Sequence, residues 1–313
     1  MKWLGLFLLV PALWVQAQAP GAQAIEIPAW FSESFLEFPE DAKEAARDGK
    51  RLMLYFGQDG CPYCKQLMQT NFTQRAIVEK TRQHFVAVAL NIWGDREVQW
   101  TDGRRMSEKE LTRALQIQYT PTILFLDERG GLVARVNGYY PPLRFSAALD
   151  YAAGLAGKGQ RFEDYMKTVA AETASPTLHE QPFLRKPPVE LKGAKPVALL
   201  FETPYCSGCD ELHGEGFKRP EVRALIDRFD VYRLTLDDSH ARALRIAYTP
   251  SIVLFDGGKE VFRVEAYLRP FHLASALEYV ASGAYRKEPS FQRFIQARAE
   301  RLRNRGEAVE LWK

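Results

Sequence analysis

The chain has 313 residues, 46% of them hydrophobic and 26% charged, with a formal net charge of +3. That length predicts two domains at roughly 100 to 200 residues each, and the composition excludes a disordered chain. The near balance of charge, with no basic stripe interleaved with aromatics, gives no basis for a nucleic-acid partner.

The first segment is a targeting sequence by pattern. Lys2 precedes the apolar stretch from Trp3 to Val15, and Val15-Gln16-Ala17, Ala17-Gln18-Ala19 and Ala22-Gln23-Ala24 offer cleavage frames. The expectation is a signal peptide over about residues 1–19. Pro11, Pro20 and Gly21 interrupt a run that a membrane anchor would need to extend to about 20 apolar residues. The mature protein is therefore expected to be periplasmic, with no membrane insertion after cleavage.

From Pro39 to Asp48 the pattern predicts a helix ended by Gly49, then a strand over 51–56, a turn carrying Cys61-Pro62-Tyr63-Cys64, a helix from about Cys64, and a strand over 85–90. A helix near 107–115 leads to Thr120-Pro121, a strand over 122–126, a turn, a strand over 132–136 and a helix near 143–153. The same order then returns: a strand over 197–201, Cys206-Ser207-Gly208-Cys209, a strand over 231–234, Thr249-Pro250, strands over 251–255 and 260–264, and a helix over 270–281. Arg113 to Pro121 recurs as Arg242 to Pro250 with only small changes, and Phe72 and Phe217 each stand eleven residues past the first cysteine of their pair. A whole domain is duplicated. The expected fold is α/β, with one domain over 26–172, a linker over 173–195 and a second domain over 196–313 that ends in a helix.

The linker segment holds Pro176, Pro182, Pro187 and Pro188. It reads equally as an extended semi-rigid spacer or as a crossover docked by Phe183 and Leu184. The copies differ in length: sixty residues separate Cys61 from Pro121 and forty-four separate Cys206 from Pro250, the excess falling in an insertion over 91–108. If the first two strands are parallel, this insertion emerges at the edge that carries Cys61. Trp93 and Trp100 then either border the site or form a local hydrophobic plug.

All four cysteines lie in the two Cys-x-x-Cys pairs, which leaves no disulfide framework and points to chemistry. A cysteine at a strand-to-helix turn sits over unpaired amides and the positive end of the helix dipole, which favours its thiolate. A second cysteine one turn on can resolve a mixed disulfide. Cys61 and Cys206 are thus the expected nucleophiles, and Cys64 and Cys209 the resolving thiols. Thr120-Pro121 and Thr249-Pro250 are the expected substrate-binding elements, read as cis bonds that present backbone to an extended segment.

Each repeat resembles a thioredoxin-fold domain, a central mixed sheet flanked by helices with Cys-x-x-Cys at a helix start and Thr-Pro before a hairpin. The first repeat, with Phe56-Gly57-Gln58-Asp59-Gly60-Cys61-Pro62-Tyr63-Cys64-Lys65 and Asn91-Ile92-Trp93-Gly94-Asp95, is similar to exported bacterial thioredoxin-related proteins of the SoxW type. The resemblance implies thiol–disulfide exchange on protein thiols and disulfides, run as a reductase fed by a membrane thiol electron carrier. Oxidase or isomerase activity, or a binding module with a silent second domain, are the alternatives. No cofactor is expected beyond the redox-active cysteine disulfides, and no metal. Two departures stand out: Gly60 and Tyr205 occupy the position where the family has tryptophan, and Tyr55 and Leu200 the position of its buried aspartate. Asp59 and Glu202 are the nearest substitutes, although each reads first as a solvated carboxylate. His213 has ligand-like spacing from Cys206 and Cys209 but reads as a surface residue. The arginine-rich stretch over 293–305 is expected to pack as an amphipathic helix on the second domain.

Overall fold

The computed structural model describes residues 23–169 and 174–309; the targeting segment expected over 1–19 lies outside the described residues. In the first unit α1 (Phe38–Arg47), β1 (Arg51–Gly57), α2 (Pro62–Gln66), α3 (Arg75–His84), β2 (Phe85–Asn91), β3 (Glu97–Gln99), β4 (Arg105–Ser107), α4 (Glu108–Ala114), β5 (Thr122–Leu126), β6 (Leu132–Asn137), α5 (Pro142–Ala152) and α6 (Phe162–Thr168) follow in order. The second unit holds β7 (Leu184–Arg185), β8 (Val197–Phe201), α7 (Ser207–Glu211), α8 (Pro220–Ile226), β9 (Asp230–Leu234), α9 (Ser239–Ala243), β10 (Ser251–Asp256), β11 (Lys259–Val264), α10 (Pro270–Ala281) and α11 (Phe291–Asn304).

The main sheets run β2-β1-β5-β6 and β11-β10-β8-β9-β7. In each, the strand before the cysteines pairs parallel with the next and antiparallel with the strand after the proline. Both faces are covered, so the central strands are near-continuous apolar runs. Along β1, Leu52, Leu54 and Phe56 enter a core shared with Phe38 and Leu111, while Met53 and Tyr55 enter the opposite core with Leu67, Phe72 and Phe145.

Two features depart from the sequence pattern, and a third decides between its two readings of the linker. The helix from Cys64 is not continuous: after α2 the backbone widens through a π turn, Leu67–Asn71, and restarts as α3; Leu212–Gly216 does the same before α8. The turn brings Asn71 to zero exposure, where its Nδ2 donates to Tyr140 O at 3.0 Å. The insertion folds as the β3–β4 hairpin, pinned by the buried Glu108 carboxylate, which accepts from Asn91 N at 3.0 Å and Arg96 Nη2 at 2.6 Å. In the linker segment, Leu184–Arg185 adds to β9 as a parallel edge strand and Phe183 meets Phe217 edge-on at 5.0 Å, which is the docked crossover of the two readings.

The units also pack on each other. Tyr140 stacks on Tyr248 at 4.4 Å, and Asn137, at the end of β6, hydrogen-bonds Glu265, which follows β11. The arginine-rich helix α11 packs on α10 as expected but also reaches the first unit. Phe291 lies against Tyr119, and the Gln292 amide donates to Gln118 O at 3.1 Å. Phe291 is 1% exposed and touches aromatic rings from both units. Phe291→Ala should therefore cost about 3–5 kcal/mol, read as a lowered denaturant midpoint.

Candidate functional site

In both units the first cysteine is the residue before the helix, and its sulfur accepts the backbone amide of the second: Cys64 N to Cys61 Sγ at 3.0 Å, Cys209 N to Cys206 Sγ at 3.1 Å. Both pairs are disulfide-bonded with Cα atoms 5.2 Å apart. Pro62 starts α2 without wasting a needed amide. The residue before each first cysteine has positive φ, 74° at Gly60 and 57° at Tyr205, and each amide is held, by Gln23 O and Ser175 O. Left-handed backbone comes freely to glycine, so the second copy keeps the same turn with a residue that adopts it less readily.

Across from the sulfurs stand the two proline loops, and the Thr120-Pro121 and Thr249-Pro250 bonds are both cis. Thr120 Oγ1 donates to Cys61 Sγ at 3.2 Å, and the Thr120 carbonyl oxygen lies 3.3 Å from the same sulfur. Each loop is tied by the hydroxyl just past its proline: Thr122 donates to Tyr119 O at 2.9 Å, Ser251 to Tyr248 O at 2.8 Å. The two cysteine pairs and the two Thr-Pro elements named from the sequence thus come together as two separate clusters.

The intervening dipeptides then diverge. At Gly208 a Cβ would lie 2.9 Å from Pro250 Cδ and 3.3 Å from Tyr267 Cβ, so the turn sits against its proline because no side chain intervenes. The corresponding Tyr63 in the first copy instead spans the two units. Its hydroxyl accepts from Arg269 N at 2.7 Å, its ring meets His272 edge-on at 5.3 Å, and burial pushes its phenol pKa up. Burial, with Arg269 and Arg298 nearby, holds the His272 imidazole down at about 4.

The two substitute carboxylates part company. Asp59 is exposed and accepts from Ile25 N at 2.9 Å. Glu202 and His213 are not solvated: they are 1% and 4% exposed, with Glu202 Oε1 at 2.7 Å from His213 Nε2. Each supplies the polar partner without which the other's burial would be costly. The second carboxylate oxygen, Oε2, has no hydrogen-bond partner among the described residues. His213 in turn stacks on His179 at 4.8 Å, whose Nε2 lies 2.6 Å from Asp210. In the first copy the place of Glu202 is taken by Gly57, where a Cβ would fall 2.1 Å from the hydroxyl of Tyr55.

Trp93 reaches the first site through an intermediary. Its indole Nε1 donates to Gln58 Oε1 at 2.5 Å, and the Gln58 amide donates to Thr120 Oγ1 at 3.3 Å. Trp100 packs edge-on against Phe38 at 5.9 Å and does not line the cleft at Cys61, which is the plug arrangement. That cleft, about 470 Å³ in volume, is walled by both units, and its Tyr139, Tyr267 and Gln292 carry no motif in the sequence.

The chain belongs to the thioredoxin-like family. The model described as Thioredoxin-like domain matches residues 38–153 and 189–281, and the protein is two tandem thioredoxin-like domains. Among solved structures it is similar to a thioredoxin-fold protein from Helicobacter pylori, at 27% identity over 45% of this chain and 87% of that one, TM-score 0.36. Similar also are a thioredoxin from Thermus thermophilus, 24% identical over 39% and 92% with TM-score 0.30, and a DsbH oxidoreductase, 18% identical over 45% and 94% with TM-score 0.31. No curated protein matches the chain.

Gly208→Ala should push the second turn off Pro250, cost about 1–3 kcal/mol by overpacking, and alter alkylation of reduced Cys206 and Cys209 while leaving Cys61 and Cys64 as before. His272 supplies a pH dependence. The unfolded chain takes up a proton at this residue below pH about 6.5, whereas the folded chain keeps it neutral down to about 4. Stability is therefore lost as pH falls through that window, by roughly 3 kcal/mol at most. In His272→Phe this part of the slope should vanish, measured as the difference between unfolding midpoints at pH 7 and about pH 4.5 against the parent chain.

Proposed function

We propose that the protein is an exported thiol–disulfide oxidoreductase that reduces disulfides of periplasmic molecules, proteins among them, through Cys61/Cys64 and Cys206/Cys209. One observation carries the reading: in each domain the first sulfur accepts the second cysteine's amide at a helix start, a placement that stabilises a thiolate. Cys61 and Cys206 are the attacking thiols in this proposal, and Cys64 and Cys209 resolve the mixed disulfide. Thr120-Pro121 and Thr249-Pro250 hold the substrate beside the sulfur, a role supported for the first loop by the Thr120 contacts to Cys61. No cofactor takes part beyond the cysteine disulfides themselves.

Export is supported by the targeting pattern of residues 1–19. Reduction of substrate leaves the cysteines oxidised, so the cycle requires an electron donor, and a membrane thiol carrier is the proposed one. The narrower likeness to SoxW-type proteins, which rests on Phe56 to Lys65 and the insertion after Asn91, is the basis for choosing the reductive direction.

The test of the chemistry is a pair of variants. Cys61→Ser should abolish turnover at the first site, while Cys64→Ser should accumulate mixed disulfides; full activity in both would overturn the assignment. For the direction, equilibration in graded thiol buffers followed by alkylation and peptide mass spectrometry reads each pair separately. Potentials near about −270 mV fit a reductase, and a first-domain value near about −120 mV would mark an oxidant instead.

A further inference from the structure

The first site opens into a cleft between the two units and not onto a flat face. Helix α11 lies across its flank, where the Phe291 amide donates to Gln118 Oε1 at 3.4 Å, the Gln292 side chain donates to Gln118 O at 3.1 Å, and Gln292 Oε1 accepts from Gln58 at 2.6 Å. The Tyr63 hydroxyl is engaged by the Arg269 amide on the other side. Gln118 and Gln58, which flank the Thr120-Pro121 loop, are thus already paired with α11 inside the chain. Even a transient redox encounter with a folded partner buries up to about 600 Å² on each side. What remains above Cys61 is a cleft of about 470 Å³, inside the range of about 300–1,000 Å³ typical of small-molecule sites.

The lining narrows the ligand. Aromatic walls come from Tyr63, Tyr139 and Tyr267, and side-chain amides from Gln23 and Gln296. Exposed Glu300 and Arg303, one of each charge on successive turns of α11, also face the cleft, and neither has an ion-pair partner among the described residues. An ammonium and a carboxylate on one small ligand would complement them.

Resting on the exchange reading above, we propose that the Cys61 site takes low-molecular-weight disulfides of cysteinyl peptides, bearing both an ammonium and a carboxylate, and not disulfides within folded proteins. The Cys61 thiolate attacks one sulfur of R–S–S–R, forming Cys61–S–S–R and expelling one thiolate. Deprotonated Cys64 then attacks Cys61 Sγ, expelling the second thiolate and closing the Cys61–Cys64 disulfide. The substrate gains two electrons and the dithiol loses two, and an external dithiol restores the cysteines.

The experiment uses the full chain carrying Cys206→Ser and Cys209→Ser, reduced and freed of reductant. Oxidised glutathione and insulin serve as probes, and oxidation of Cys61/Cys64 is followed by quenched alkylation, each rate divided by that of the same disulfide with free dithiothreitol. The normalised rate with oxidised glutathione should exceed that with insulin at least tenfold. Gln296→Trp, which fills the cleft from an exposed position of α11, should lower the glutathione rate at least tenfold with the potential of the pair and the circular dichroism unchanged. Equal normalised rates for the two probes, or no effect of Gln296→Trp, would overturn the cleft proposal and leave the exchange chemistry standing. Failure of oxidised glutathione, insulin and small oxidised dithiols alike to oxidise the pair would overturn both.

Discussion

A helix-start sulfur is a useful nucleophile only while the turn that carries it is held against something rigid, and here that support is the proline loop on the neighbouring strand. Strands β1 and β5, like β8 and β10, are antiparallel partners, so the end of the strand that launches the cysteine turn lies beside the start of the strand that follows the proline. Hydroxyls at Thr122 and Ser251 tie each loop to the tyrosine before Thr-Pro. The sheets, the two cores and the flanking helices all serve to fix that one juxtaposition, twice.

The duplication preserves this constraint while letting the surroundings of each copy go separate ways. Around Cys61 the freed positions are spent on joining the domains: Tyr63 is hydrogen-bonded to the main chain of the second unit, and Gln58 connects Trp93, Thr120 and Gln292. Around Cys206 the turn is stripped to Gly208 and drawn onto Pro250, and a hydrogen-bonded couple, Glu202 and His213, is sunk beneath it. The first copy is embedded between domains and the second is bordered by Tyr205, which is 48% exposed.

What the sequence revealed follows from where the physics is local. Strands 122–126 and 197–201 and the helix 270–281 are legible to the residue, because an apolar run bounded by proline or turn residues has one reading. The cysteines and Thr-Pro elements are legible because they recur in register. The break between α2 and α3 leaves little trace, since Cys64, Leu67, Met68, Asn71 and Phe72 follow the three- and four-residue spacing of a continuous helix while the backbone widens. Strands β3 and β4 are three residues each, too short for alternation to stand out. Glu202 and His213 each look solvated alone, and only the fold brings strand and helix together to make them a buried pair. The docking of the domains, which rests on tyrosines and glutamines scattered between residues 58 and 292, has no local signature at all.

Tyr55 and Gly57 lie on one face of β1, and the second copy holds Leu200 and Glu202 at the same two places. In one copy a large ring overhangs an empty neighbour; in the other a smaller aliphatic side chain makes room for a carboxylate. A Cβ at position 57 would fall 2.1 Å from the Tyr55 hydroxyl, so any side chain there requires that ring to move. The layer that a phenol fills in the first domain therefore holds a carboxylate and an imidazole in the second.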